Sequence, residues 1–203
     1  MPAFDSEAIY EMLERNEPEQ ALAQLKKRRF HDALGWFLQG EALRQLGNFE
    51  TALLTYAKGL KIAEVAEERM DILLAMAACY RTLGHAAAAY ELADETLQMA
   101  RELELDDYVV RAMQEMAMAL RAWGRLEESL ELLDTVLAAY TQEKDYAGMS
   151  FIHWAKGGIF RLQGQFEEGI AQFNKAISLA KKVKDKISEA YGYCGLAETK
   201  SED

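Results

Sequence analysis

Proline and cysteine each occur only twice in 203 residues, and Val, Ile and Thr together supply only 20. So few prolines impose almost no helix breaks, and scarce β-branched residues leave little to favour strands. That balance argues against a mostly β fold. Cys79 and Cys194 are isolated and too few for a disulfide framework. Positive charge is also short: 23 Lys and Arg face 34 Asp and Glu, a formal net charge of −11. A general nucleic-acid binder needs a basic stripe to displace phosphate counterions, so no nucleic-acid partner is expected, although a small basic patch is compatible with the count. No apolar run is long enough to span a bilayer, so no membrane partner is expected either. The first residues, Met1-Pro2-Ala3-Phe4-Asp5-Ser6-Glu7, carry neither the positive segment nor the apolar run of a secretory signal. A soluble, cytoplasmic protein is the expectation.

What is present points to helix. Half the residues are apolar, enough for a folded core, and Ala and Leu alone account for 58. These side chains lose little rotamer freedom in a helix. The chain also repeats itself. Arg44-Gln45-Leu46-Gly47, Arg81-Thr82-Leu83-Gly84, Arg121-Ala122-Trp123-Gly124 and Arg161-Leu162-Gln163-Gly164 recur at spacings of 37, 40 and 40 residues. Each glycine follows one apolar-periodic segment and precedes another, where a chain must turn through a left-handed residue. This predicts first helices over 33–46, 70–83, 110–123 and 150–163, and second helices over 49–64, 86–103, 126–142 and 166–183.

Within each unit, small residues fall seven before the glycine (Gly40, Ala77, Ala117, Gly157) and five after it (Ala52, Ala89, Ser129, Gly169). Larger ones stand four before (Leu43, Tyr80, Leu120, Phe160), and Tyr56, Ala93, Leu133 and Phe173 stand nine after. Small pairs let two helix backbones approach while large residues fill the space beside them. A hairpin alone exposes an apolar side, so hairpins must stack. The expectation is an all-α fold, a single solenoid over 1–203. It has a degenerate N-terminal hairpin at 5–28, four repeats at 33–64, 70–103, 110–142 and 150–183, and a capping helix at 185–198 marked by Ile187, Ala190, Tyr191 and Cys194.

The run Trp36-Phe37-Leu38-Gln39-Gly40-Glu41-Ala42-Leu43, followed by Gly47, Ala52 and Tyr56, resembles a tetratricopeptide repeat, as does the fourth unit with Gly157, Phe160, Gly164, Phe173 and Ala176. The 40-residue spacing resembles the longer-helix branch seen in kinesin light chains and several bacterial regulators. The resemblance implies a right-handed superhelix of antiparallel helix pairs whose concave groove, lined by the first helix of each unit, binds peptides or proteins. It implies no chemistry.

On that orientation the candidate peptide-binding residues are Phe37, Glu41, Arg44, Arg81, Gln114, Arg121, Phe151, Trp154 and Arg161. The arginines share one register, and a guanidinium fork suits a carboxylate, so an acidic or carboxylate-bearing partner is one reading. The other is structural: each Arg ends a helix, where a cation complements the dipole, and can pair with Glu50, Glu127, Glu128, Glu167 or Glu168. Phe37, Phe151 and Trp154 are either partner anchors or packing between repeats. Trp36 and Trp123 read as core or turn packing, and both cysteines as buried small hydrophobes. His31, His85 and His153 form no metal-ligand sequence, and no phosphate loop appears. Neither a cofactor nor a metal is expected. The sequence therefore reads as a noncatalytic protein- or peptide-binding scaffold. A homodimeric, structural oligomerisation module and an enzyme with a dispersed site are the alternatives.

Overall fold

The computed structural model describes residues 6–27 and 32–202, so Asp5, Arg28 and His31 of the sequence reading lie outside the described residues. Among the described residues all regular structure is helical, in the order α1 (Ser6–Glu14), α2 (Pro18–Leu25), α3 (Ala33–Gln45), α4 (Phe49–Leu60), α5 (Ala66–Thr82), α6 (Ala86–Glu102), α7 (Asp106–Ala122), α8 (Leu126–Glu143), α9 (Tyr146–Leu162), α10 (Phe166–Val183) and α11 (Lys186–Glu202). The all-α fold of antiparallel helix pairs is the one the sequence predicts. The chain forms two compact units, Met1–Glu115 and Met116–Asp203, divided within α7.

Each predicted bend is a glycine at positive φ: Gly47 at 76°, Gly84 at 86°, Gly124 at 81° and Gly164 at 71°. The hydrogen bonds around them form one repeated motif. Gly47 N–H donates to Arg44 O and Asn48 N–H to Leu43 O, and the same pair recurs at Gly84/His85, Gly124/Arg125 and Gly164/Gln165. This is the Schellman closure, in which the residue after the left-handed one reaches back to the helix's last full turn. The large residue four before each glycine supplies that acceptor carbonyl.

The opposite ends of the hairpins use the same closure without glycine. Glu104, Lys144 and Lys184 hold φ of 55°, 60° and 61°, and the following residues donate back to Ala100, Tyr140 and Ala180. The sequence reading missed these turns because no glycine marks them. As a result α7 and α9 start about one turn upstream of where it placed them; α5 does so too, after a connection that uses no left-handed residue. Asp145 stabilises the longer start of α9 by accepting from the N–H groups of Ala147 and Gly148, and Asp185 does the same for Ile187 and Ser188 in α11.

In the first unit α1 to α5 share a core in which Ile9, Leu22, Leu25, Leu38, Tyr56, Ile72 and Cys79 are buried. Here α3 meets α4 through a fit between Gly40 and the Tyr56 ring: a methyl group on Gly40 would lie 2.2 Å from that ring. In the second unit the Phe173 ring of α10 lies between two glycines, and a methyl on Gly157 of α9 would stand 2.9 Å from it and one on Gly195 of α11 2.3 Å. Gly169 also approaches the Gly157 carbonyl, at 3.3 Å from a notional Cβ. In the hairpin of α7 and α8 the small pair is joined directly, Ser129 Oγ donating to Ala117 O at 2.7 Å. Residue sizes compensate along the registers: glycine opposite Tyr56 or Phe173, alanine at the positions of Ala93 and Leu133.

Of the two readings for Trp123, core or turn packing, it takes the second: it lies at its turn, 48% exposed, with the Arg125 guanidinium 5.2 Å from its ring centre. Two sequence expectations are corrected. Cys194 is exposed, whereas Cys79 is buried as expected, and both are free thiols. In α11 the residues turned inward are Gly192, Gly195 and Thr199, while Ile187, Ala190, Tyr191 and Cys194 face outward. Gly192 and Gly195 pack against Ile177 and Phe173. Helical periodicity there marked a real face, but small residues make the closer contact.

His153, expected to be a packing residue, is buried in α9 with Nδ1 2.7 Å from Gln172 Oε1. Burial holds its imidazole below the ordinary value, and Lys175 and Lys156 push the same way. The unfolded chain then binds more protons, so the stability that neutral His153 contributes is complete above its unfolded pKa of about 6.5 and is lost as pH falls below it. The urea midpoint should drop between pH 7.5 and 5.5, and His153→Gln should flatten that dependence; an unchanged slope would contradict the assignment. The size matching predicts a second result. Gly157→Ala should cost about 1–3 kcal/mol by overpacking and Phe173→Leu a comparable amount through a cavity. The double variant, copying the Ala117 and Leu133 combination, should cost less than the sum in a double-mutant cycle by urea unfolding.

Candidate functional site

The arginines of the repeated register lie in the last turns of α3, α5, α7 and α9. Helical spacing places them on the same side as the other candidates, and the packing of first helices on one another brings several together within each unit.

In the first unit Glu41 is the hub. Arg44 grips it with two donors, Nε at 3.1 Å and Nη2 at 2.6 Å, and the Tyr56 hydroxyl donates to the same carboxylate at 2.5 Å. Burial, with Glu41 adding to it, pushes the Tyr56 phenol far above its usual range. The hydrogen bond to Glu41 holds the Arg44 guanidinium firmly protonated. Phe37 stands beside Tyr56, ring centres 6.2 Å apart. Cys79 lies in the same region, its thiol pushed up to about 11 by burial, which keeps it unreactive as a thiolate near neutral pH.

Arg81 reaches across to the next first helix, Nε 3.4 Å from Glu115 of α7. A second tie joins the same helices, Arg111 to Asp71 at 2.8 Å, with Arg111 also 4.7 Å from the Tyr108 ring centre. Gln114 is half-buried on α7 between these pairs in sequence.

In the second unit the face is aromatic. Phe151 and Trp154 of α9 have ring centres 5.7 Å apart, and Tyr191 of α11 continues the row at 6.1 Å from Trp154. Arg121 of α7 lies over Trp154 at 5.5 Å, a cation–π arrangement. Gly158 makes room for it, since a methyl there would sit 2.7 Å from Arg121 Nη2. One repeat onward, Glu198 occupies the place corresponding to Gly158, and Arg161 pairs with it at 3.2 Å. Phe151 and Trp154 are half-buried and Tyr191 is 59% exposed.

The structure thus joins Phe37, Glu41 and Arg44 around Tyr56, and Phe151, Trp154 and Arg121 in a second group. It ties Arg44, Arg81 and Arg161 to carboxylates. Those carboxylates belong to first helices, Glu41, Glu115 and Glu198, not to the second-helix acids named from the sequence. Glu128 instead pairs with Arg125, and Glu127 accepts from Gln163. Tyr191 and Glu198 were missed as site residues. Reading the register one helix further would have found them, because Tyr191 follows Phe151, and Glu198 follows Gly158, by one 40-residue period.

Among the described residues no three His, Cys, Asp or Glu side chains cluster to hold a metal. His85 stands edge-on to Tyr80 at 6.1 Å. No described helix is long and apolar enough to cross a membrane.

The tetratricopeptide repeat family model matches residues 33–65 and 152–183. No curated protein matches the chain. Among solved structures, a Rap protein complexed with Competence and Sporulation Factor superposes with a TM-score of 0.78 at 15% identity, covering 100% of this chain and 65% of that one. The chain therefore spans slightly less than two thirds of the Rap protein. PlcR from Bacillus thuringiensis, in complex with the peptide PapR7 and DNA, gives 0.74 at 20% identity, covering 94% and 72%. A putative kinesin light chain from Podosopora anserina with nearly identical TPR-like repeats gives 0.64 at 17%, covering 88% and 94%. At these identities the likeness to solved structures is one of fold. Residues 33–65 and 152–183 thus match the tetratricopeptide repeat model, and the chain shares the fold of kinesin light chain, Rap and PlcR repeats.

Proposed function

We propose that this chain is a noncatalytic scaffold that holds a peptide or protein segment against the exposed side of its first helices. One observation carries the reading: Phe151, Trp154 and Tyr191 form a continuous aromatic row with Arg121 over its centre. The row is only partly buried, although each member is large and apolar enough to stabilise the core by about 1.5–3 kcal/mol if enclosed. Rings held in place lose little entropy when a partner covers them, and preorganisation of that kind raises affinity without new contacts. One fold relative, PlcR, is described in complex with the peptide PapR7, and another, Rap, in complex with Competence and Sporulation Factor, which supports a peptide as ligand here.

The arginines refine the ligand class. Arg81 commits only Nε, at 3.4 Å, and its side chain is 24% exposed, so its terminal nitrogens suit an incoming carboxylate. Arg44 is engaged more fully, through two nitrogens on Glu41, and Arg161 meets Glu198 at 3.2 Å. An acidic ligand must compete with these internal carboxylates, so the aromatic anchor should dominate affinity and the arginines should tune it. Homo-oligomerisation is weaker as a reading, because copies carrying a net charge of −11 repel each other at low salt.

The test is selection of linear peptides from a displayed random library on the whole protein. Selected sequences should carry a large apolar or aromatic residue, and Trp154→Ala should weaken their binding by roughly 30-fold or more, the scale of an interface hot spot. Arg81→Ala should weaken it less and chiefly for acidic peptides. Selection of nothing, or equal binding by a folded Trp154→Ala variant, would overturn the proposal.

A further inference from the structure

The last helix carries a second surface that the aromatic row does not use. In α9 the side turned to its own second helix is read by Ser150, His153 and Gly157. Ser150 Oγ donates to Ala176 O at 2.8 Å, His153 meets Gln172, and Gly157 receives the Phe173 ring. All three partners are on α10. One 40-residue period later the same side of α11 presents Ala190, Tyr193 and Ala197, and all three are exposed. α11 rests on α9 and α10, and among the described residues no second helix lies on this side. Two small residues flanking one large residue keep the close-packing pattern that the earlier hairpins use to seat a helix.

Charge states what kind of helix fits. Helical spacing adds Lys186 before Ala190 and Lys200 after Ala197, so the apolar trio is bracketed by ammonium groups at both ends, both exposed. Lys186 also bonds Glu189 at 2.8 Å on the helix surface, and exposed pairs of this kind are weak. Lys181, Lys182 and Lys184 crowd the adjoining turn, where Asp185 is occupied capping α11. This is a concentrated basic rim in a chain with a net charge of −11.

We infer that the Lys186–Ala190–Tyr193–Ala197–Lys200 side of α11 docks an acidic amphipathic helix of a partner protein, with a leucine-sized residue over Ala197, as Leu133 answers Ala117 at the same register. The chain supplies a probe of that chemistry. A peptide with the sequence of α8, Leu126–Glu143, has five acidic residues and no basic ones, whereas one with the sequence of α10, Phe166–Val183, has two acidic and three basic. Each is made with a hydrocarbon staple on its polar side to hold it helical and is titrated, fluorescein-labelled, against the whole protein by anisotropy. The α8 peptide should bind saturably, at least 10-fold tighter than the α10 peptide, and Lys186→Glu with Lys200→Glu should weaken it at least 10-fold. Ala197→Arg should abolish it while circular dichroism stays unchanged. Absence of α8-peptide binding, binding indifferent to the lysine reversals, or sedimentation showing this side buried between two copies of the chain would each overturn the inference. Because Trp154→Ala leaves this side of α11 untouched, failure here is distinguishable from failure of the aromatic row.

Discussion

A missing side chain in one helix, opposite a ring in the next, sets the spacing on which both outer hairpins depend. Gly40 receives Tyr56, and Gly157 and Gly195 together receive Phe173. Dispersion forces fall steeply with distance, so the ring gains full contact only because no methyl group intervenes. Where the first helix carries alanine, at Ala77 and Ala117, the opposing registers hold the smaller Ala93 and Leu133. The helix pair is therefore specified by complementary volumes more than by any one residue type, as close packing in protein interiors requires.

That spacing places the candidate faces. With first helices neighbouring one another, a side chain in the last turn of one reaches the middle of the next. Arg81 meets Glu115, Arg161 meets Glu198, and Arg121 enters the space left by Gly158 to lie over Trp154. One register thus does two jobs. Where the neighbour is Glu, arginine ties helices together; where it is Gly, arginine stacks on an aromatic ring and keeps part of its surface beside a possible ligand. Both differ from the helix-dipole role that any terminal arginine shares.

Much of this was legible in the sequence. Gly47, Gly84, Gly124 and Gly164 announced the bends because left-handed backbone selects glycine, and the small positions announced the close approach. The returning turns were not legible, because Glu104, Lys144 and Lys184 adopt left-handed backbone without the usual residue. Partners of the arginines were also misread, since sequence proximity favoured acids at the next helix start while the fold brings in acids from a helix one period away. Trp123 and Cys194 show a related limit: an apolar residue at the right period can still sit on the outer side of a terminal helix or turn. Gly158 acts through the side chain it lacks, which leaves room for Arg121.

The central claim is the glycine–ring fit, and nuclear Overhauser spectroscopy tests it most directly. The Phe173 ring protons should show strong cross-peaks to the α-protons of both Gly157 and Gly195, and the Tyr56 ring protons to those of Gly40. Rings that show contacts to neither glycine set, in an otherwise folded protein, would contradict the account.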